Sequence, residues 1–181
     1  ADTLLLTHPA YPPKRITRQA NETFSLSDWQ FDQDKDGRKL CPFERFAPDE
    51  ITLTPSGSAG TITLTASADV FSDLHVGTRF RLQGGEVEIT ATQSATVASA
   101  TVKKALSGAG ATKEWTEEAF SAAHGYPVCV TFYQGRLVIG GSRDLPNKLW
   151  FSKSFLIMNF DTGTGLDDEA MSFSILSDQV N

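Results

Sequence analysis

Two acidic stretches hold the residues of this sequence that could do chemistry, and the first runs from Asp32 to Gly37 (DQDKDG). Alternating carboxylates followed by glycine match the start of a calcium-binding loop, in which the oxygens converge on a hard cation. Such a loop needs a bidentate Glu at its twelfth position, where this sequence has Phe43, with Glu44 one place later. A solvated acidic turn is therefore the favoured interpretation, and a calcium site is the alternative.

The second acidic stretch runs from Asp161 to Glu169 (DTGTGLDDE). Its glycines allow backbone conformations with positive φ, and its carboxylates supply oxygens of the kind that metal ions bind. An exposed loop between two strands explains the same composition without an ion. The sequence favours that loop, and metal binding stays open as the second interpretation.

The other reactive side chains do not form a recognisable constellation. His8, His75 and His124 are scattered, and neither Cys41 nor Cys129 lies near a histidine at zinc-ligand spacing. The sequence has no G-x-S-x-G nucleophile elbow, and no carboxylate pair is singled out for glycoside hydrolysis. We therefore predict a protein that is not an enzyme, with no catalytic, cofactor-binding or metal-binding residues. The two cysteines are expected to be reduced thiols, with a disulfide as the alternative.

Composition and charge narrow the functional classes further. The chain has 181 residues, a net charge of −6, 40% apolar and 21% charged residues. These values are ordinary for a globular protein, and no run of about 20 apolar residues is present to span a membrane. An acidic chain argues against a domain that grips nucleic-acid phosphates. The basic cluster at Lys14, Arg15 and Arg18 is expected to be the solvated face of one short strand.

Alternating apolar residues predict that β-strands build the scaffold for these side chains. The densest block is His124–Ser154, where Val128–Tyr133 and Arg136–Ile139 flank a Gln-Gly turn and Leu149–Phe151 begins a third strand. Alternation around Phe173 adds a fourth. Four strands that reverse through short turns predict an antiparallel meander, the sheet from which propeller blades are built.

The N-terminal and middle regions also read as strands. Residues up to about Phe31 predict a three-stranded meander, and Asp32–Glu50 reads as an irregular linker. Residues 51–102 are rich in Thr, Ser, Ala and Gly, with short alternating strands that predict a small barrel or sandwich. Lys103–Ala123 is expected to be an extended return with at most one helical turn, anchored on the sheet by Trp115 and Phe120.

Two segments together resemble large structural proteins of tailed bacteriophages and prophages. One segment is similar to tail nozzle, or tubular, proteins of short-tailed phages. Its motifs are, in order, Gly125-Tyr126-Pro127, an aromatic before Gln-Gly, Arg-Leu-Val-Ile-Gly-Gly, Trp150–Lys153, and Asn159-Phe160 with an acidic Gly-Leu-Asp-Asp. The opening, with Leu4-Leu5-Leu6, His8-Pro9, Tyr11-Pro12-Pro13 and Lys14–Thr17, fits the same pattern. The middle does not share it. Phe71–Leu82 instead resembles, in fold only, the small barrel of the first catalytic-cysteine half-domain of ubiquitin-activating enzymes.

The resemblance implies a fold and a function. The fold would be all-β, with antiparallel propeller-blade-like sheets and an inserted small β-barrel. The implied segments are residues 1–45 (N-terminal meander), 46–114 (inserted barrel) and 115–181 (four-stranded blade packing with the N-terminal segment). The implied function is a structural virion protein of a tail, made in the host bacterial cytoplasm, which lines a conduit that DNA crosses without specific binding. Its partners would be sister subunits of a homo-oligomeric ring and other tail proteins, with no membrane.

Two alternatives and one structural expectation complete the predictions. Aromatics at Tyr11, Trp29, Tyr133 and Trp150 would suit a carbohydrate-binding or host-adhesion module if they were exposed, but their burial between sheets is the favoured interpretation. A tail-spike glycan hydrolase is the third functional alternative. The chain lacks an initial Met and ends just after a strand, so we expect a fragment of a longer protein. Such a fragment should leave apolar faces uncovered, and the candidates are the faces of Val128-Val130-Phe132 and Met171-Phe173-Ile175.

Overall fold

The computed structural model describes residues 2–175 and consists of short antiparallel strands joined by turns. Fourteen strands and one 3-10 turn, Asp73–His75, are present in these residues, with no α-helix. The prediction of an all-β protein with antiparallel sheets is therefore confirmed. Two compact units are distinguished. Unit 1 comprises residues 2–32, 40–42 and 124–175, and unit 2 comprises Gln33–Lys39 and Phe43–Ala123.

The first sheet of unit 1 is a three-stranded meander, as predicted. Its strands are β1 (Thr3–His8), β2 (Tyr11–Arg18) and β3 (Phe24–Asp28), in the order β1-β2-β3. The register places Leu4, Ile16 and Leu26 side by side across the three strands. Because side chains alternate between the two faces of a strand, these three residues lie on one face.

The second sheet of unit 1 is a four-stranded meander, also as predicted. Its strands are β11 (Cys129–Tyr133), β12 (Arg136–Gly140), β13 (Lys148–Phe151) and β14 (Met171–Ser174), in that order. Gln134 and Gly135 both have positive φ, 49° and 73°, as a two-residue hairpin turn of the I′ type requires. The buried apolar residues of unit 1 include Trp29, Leu40, Leu137, Ile139, Trp150 and Phe160.

Unit 2 is a single seven-stranded antiparallel sheet with its own core. Its strands are β4 (Phe43–Glu44), β5 (Leu53–Pro55), β6 (Thr61–Ala66), β7 (Arg79–Leu82), β8 (Gly85–Ser94), β9 (Val97–Lys104) and β10 (Trp115–Glu118). The order is β4-β10-β7-β8-β9-β6-β5. A cluster of buried side chains that includes Leu53, Leu64, Phe80, Ile89 and Trp115 forms the core.

The sheet of unit 2 curls but does not close through hydrogen bonds. The indole of Trp115, on β10 near one end of the strand order, donates to the carbonyl of Ile51 at 2.9 Å, and Ile51 lies just before β5 at the other end. An isolated bridge between Leu53 and Thr112 adds to this contact. Among the described residues no ladder joins β4 to β5, so a closed barrel is not observed.

The segment boundaries of the two units differ from the expected ones. Residues 115–123 were expected to lie with the C-terminal sheet, but β10 pairs with β4 and β7 and so lies in unit 2. Trp115 is buried there, with its ring 5.8 Å from that of Phe80. The stretch Gln33–Lys39, read as part of a linker, also packs in unit 2. Burial of the Trp115 ring in this core accounts for the position of β10.

Candidate interaction surface

The first sheet of unit 1 presents an uncovered apolar face. Leu4, Phe24 and Leu26 are 57%, 70% and 66% exposed, and they share the face with the half-buried Ile16. A shallow apolar cavity of about 470 Å³ lies on this face against Leu4, Ile16 and Phe24. Isolated surface leucines are common, but a contiguous apolar patch marks a contact site. This face was not predicted from the sequence; its signal is the alternation along each strand, which puts Leu4, Ile16 and Leu26 on one side.

The second sheet of unit 1 carries apolar residues on both of its faces. Val130 and Phe132 share a face with the buried Leu137 and Ile139, to which they are paired across the strands. Phe173 lies on the opposite face, paired with Leu149. Phe132, Phe173, Val128 and Ile175 are each more than a third exposed, as expected of the unfinished surface. The sheet therefore offers contact area in two directions.

Two of the four aromatics proposed for sugar stacking are not available to a ligand. Trp29 and Trp150 are buried in unit 1, and the Trp29 indole donates to the Lys14 carbonyl at 2.7 Å. Tyr11 and Tyr133 are exposed, and the Tyr11 ring lies 5.1 Å from that of His8. Only the two tyrosines retain the exposed ring that stacking on a sugar requires.

The first acidic stretch uses its central carboxylate within its own turn. Asp34 accepts hydrogen bonds from the backbone N–H groups of Asp36 and Arg38, both at 2.9 Å, and from the Arg38 Nε at 2.6 Å. Burial opposes ionisation of this carboxyl, but the Arg38 side chain and the backbone donors outweigh it and lower the pKa of Asp34. The predicted acidic turn is thus organised by an arginine and backbone donors at Asp34.

The second acidic stretch also folds around one carboxylate. Glu169 Oε2 accepts hydrogen bonds from the backbone N–H groups of Thr164, Gly165 and Leu166 at 2.6, 2.7 and 3.1 Å, and these donors lower its pKa. Gly163 has φ +55° and lies so close to Glu169 that a Cβ there would collide with the carboxylate. The positive φ favours glycine at this position, and an added Cβ would also displace the Glu169 carboxylate.

A buried arginine holds the same loop from the other side. Arg136 is 6% exposed, and its guanidinium donates to the carbonyls of Ser152, Asp167 and Glu169. Three carbonyl acceptors compensate the buried cation in place of a carboxylate. Arg136 and Glu169 therefore act as structural residues of the 161–169 loop.

Unit 2 contains a buried carboxylate, Glu86, that was not predicted from the sequence. Glu86 is fully buried, and it accepts hydrogen bonds from Arg79 at 2.8 Å, Arg81 at 3.1 Å and the backbone N–H of Lys39 at 3.0 Å. Arg81 also donates to the Lys39 carbonyl at 2.7 Å. The contacts anchor Gln33–Lys39 on the β7–β8 hairpin. The signal in the sequence is the pair Arg79 and Arg81, which faces Glu86 and Glu88 across a short turn.

A cleft of about 720 Å³ lies in unit 2, bordered by Arg38, Arg45, Arg81, Lys113 and Trp115 among others. The Arg45 guanidinium lies 3.8 Å over the Trp115 ring. Its five N–H groups donate to five backbone carbonyls, those of Ala47, Pro48, Ile51, Lys113 and Trp115. Desolvation lowers the pKa of Arg45. This arginine joins the two ends of the curled sheet and is committed to that role.

The same unit holds an internal pair of titratable groups. His75 Nε2 lies 3.3 Å from Glu117 Oε2, and both residues are buried. His75 Nδ1 accepts the backbone N–H of Ser72 at 3.0 Å, as in a capping box. That acceptor role assigns the ring proton to Nε2, which faces Glu117.

No protein-family model and no curated protein matches this sequence. Within residues 2–175, no helix has the length and apolar character needed to cross a membrane.

Proposed function

We propose that this chain is part of a structural virion protein of a phage or prophage tail, of the nozzle or tubular type. The observation that carries the proposal is the four-stranded meander β11–β14 with apolar side chains on both faces. A propeller blade packs each of its faces on a neighbouring blade, so it needs apolar residues on both. The resemblance in His124–Ser154 and in the first 17 residues points to the same class.

The proposal also gives two of the sheets a place in a larger propeller protein. The meander β11–β14 would be one blade of a propeller completed by further sequence or by sister subunits. The curled sheet of unit 2 would be a small barrel-like module inserted in the blade-forming chain, whose role is structural, because its interior is filled by its own side chains.

The proposed partners are sister subunits of a homo-oligomeric ring and other tail proteins, in the virion tail and, during assembly, in the host bacterial cytoplasm. DNA would cross the conduit without specific binding, since a net charge of −6 opposes tight contact with phosphates. The proposed role is not enzymatic. Asp34, Glu86 and Glu169 are all engaged in holding loops and strands.

The test compares self-association of the chain with that of a variant. Phe132→Glu places a charge on the β11 face at a residue that is 61% exposed, so folding should be retained. Leu74→Glu, in unit 2 and 54% exposed, is the matched control. We expect larger oligomers by light scattering for the parent chain and for Leu74→Glu, and smaller ones for Phe132→Glu. Equal association of all three proteins would contradict the proposed role of this face.

A separate experiment tests whether the protein belongs to a virion. Negative-stain images of the complete tail protein proposed above should show rings, and antibodies raised on this chain should label the tails of the phage particles that carry it. Absence of the protein from purified particles would refute the assignment whatever the oligomeric state.

A carbohydrate-binding or host-adhesion module is the second candidate, and the exposed rings of Tyr11 and Tyr133 favour it. Titration of host polysaccharide into the chain should then quench tyrosine fluorescence, and Tyr11→Ala and Tyr133→Ala should abolish the effect. Binding that survives both substitutions would argue against these rings.

A further inference from the structure

The outer edge of β3 has its backbone groups aimed at solvent in a regular pattern. Gln19 N–H donates to the Thr23 carbonyl at 2.8 Å, and Trp29 N–H donates to the Pro13 carbonyl at 3.1 Å. Since only every second pair of an antiparallel ladder is hydrogen-bonded, these two bonds show that the odd-numbered residues of β3 bond to β2. The N–H and C=O groups of Phe24, Leu26 and Asp28 therefore point away from β2.

Nothing in the described residues protects this edge. In residues 2–175, β3 pairs only with β2. Natural edge strands are blunted by proline, by bulges or by inward-pointing charges. The sequence of β3, FSLSD, has no proline, its ladder with β2 has no register shift, and its central residue is leucine. Such an edge is a template for another strand.

A second copy of β3 matches this template by symmetry. In an antiparallel pair centred on Leu26, Leu26 faces Leu26 of the second copy, and Phe24 faces Asp28 of the second copy. All three residues direct their backbone groups outward, so each of the three cross-copy pairs can exchange two backbone hydrogen bonds. No other centre brings all three outward-facing residues into register at once.

The side chains on the exposed face also fit this register. The row Leu4-Ile16-Leu26 would continue into Leu26-Ile16-Leu4 of the second copy, which doubles the apolar stripe and shields its most exposed member. Asp28 of the second copy would lie beside Phe24, whose neighbour across β2 is Arg18. Arg18 lies one strand further from the second copy, and Asp28 already forms an ion pair with Lys14 of its own copy. The charge of Asp28 is therefore compensated within each copy, and the apolar stripe and the outward-facing backbone groups favour the pairing.

We propose that two copies of this chain associate edge to edge through β3, forming a continuous six-stranded sheet with a two-fold axis at Leu26. The surface is distinct from the β11 and β14 faces considered above. The inference rests on the strand register and the side-chain pattern of β1–β3, and it stands whether or not the protein belongs to a phage tail.

The first experiment is sedimentation of the whole chain across a concentration series. Leu26→Lys places two like charges directly opposite each other at the axis, which disfavours pairing. Leu4→Lys puts the same charge on the same face, where the two copies do not meet. We expect a concentration-dependent dimer for the parent chain and for Leu4→Lys, and at least about a tenfold weaker dimer for Leu26→Lys. Circular dichroism and melting curves confirm that each variant is folded.

The second experiment uses disulfide cross-linking to test which residues of the two β3 strands face each other. In a Cys129→Ser background, Leu26→Cys should give a covalent dimer on mild oxidation, because opposed residues of a hydrogen-bonded pair have Cα atoms about 5.5 Å apart, within disulfide range. Ser27→Cys is the control, since Ser27 would face Ser25 of the second copy. A strict monomer at several hundred micromolar, undiminished dimer in Leu26→Lys, or equal cross-linking at positions 26 and 27 would overturn the proposal.

Discussion

Replacing Glu86 by glutamine tests whether one buried carboxylate holds Gln33–Lys39 on the sheet of unit 2. The carboxylate faces two arginines and one backbone N–H within 3.1 Å. Glutamine keeps one acceptor oxygen but replaces the other by an NH2 group, which would point a donor at donors. It also removes the negative charge that compensates Arg79 and Arg81.

The expected cost follows from burial. Breaking a fully buried ion pair by removing one partner costs about 3–5 kcal/mol. The Arg79 and Arg81 side chains keep 11% and 22% exposure, and the glutamine retains one hydrogen bond, so the cost should lie at or just below the lower end of that range. We expect the free energy of unfolding to fall by about 2–3 kcal/mol.

Glu88→Gln is the matched control. Glu88 lies two residues further along β8 and also contacts Arg79, at 3.0 Å, but its side chain is 29% exposed. A partly solvated pair of this kind contributes at most about 1 kcal/mol. Urea unfolding measures both variants, and hydrogen exchange at the Lys39 amide, whose acceptor is the side chain of Glu86 and not that of Glu88, localises the effect. Equal losses of stability in the two variants, or unchanged exchange at Lys39, would refute this reasoning.

Three further predictions follow from the other charged groups. Arg45→Lys should lower the free energy of unfolding by about 2 kcal/mol in urea titrations, because one ammonium with three donors cannot serve five carbonyls. A variant as stable as the unmodified chain would contradict the role of Arg45 in joining the two ends of the unit 2 sheet. Burial raises the pKa of Glu118 above its ordinary value of 4.5 despite the nearby Lys39. Its contribution to stability is therefore complete below pH 4.5 and is lost as pH rises through the folded-state pKa, so Glu118→Gln should flatten the stability profile above pH 4.5. Addition of a chelator should leave the melting temperature unchanged, because Asp34 and Glu169 already bind donors of the protein; a rise of several degrees with calcium would revive the metal interpretation.

Local sequence patterns were sufficient to predict most strands and the two meanders of unit 1. The hairpin around Gln134-Gly135 illustrates the reason: alternation sets the faces of the strands, and a two-residue turn with positive φ sets their register. Both signals lie within about a dozen residues. The same locality explains why Asp161–Glu169 was correctly predicted to be a loop between strands, since Gly163 and Gly165 both adopt positive φ.

Long-range pairing was not predictable in the same way. β10 joins β7 across more than thirty residues, and nothing near Trp115 in sequence indicates the core to which its ring belongs. Burial was the favoured prediction for Trp29 and Trp150, and the structure confirms it. The sequence alone left exposure open, because a tryptophan in a strand is compatible with either face until the packing is known. Glu86 was overlooked because acidic residues are seldom fully buried unless paired, and its partners are identified only when β7 and β8 are set in register.

The two units differ in how far they bury their own apolar side chains and pair their own charges. This difference indicates where assembly contacts should lie. Unit 2 gathers most of its large apolar residues in one cluster, with Leu74 and Val76 exposed, and it compensates Glu86 and Arg45 with its own groups. Unit 1 leaves leucine and phenylalanine side chains uncovered on both of its sheets. Exposed apolar area of this extent raises the free energy of an isolated chain in water, and association lowers it. Substitutions at the proposed contact positions of unit 1, Leu26 and Phe132, should therefore change the oligomeric state while sparing the fold, whereas substitutions in the unit 2 network should change stability while sparing the oligomeric state. Measuring both quantities for Leu26→Lys and Glu86→Gln separates the two roles, and a variant of either class that moved both quantities together would show that folding and assembly are coupled in this protein.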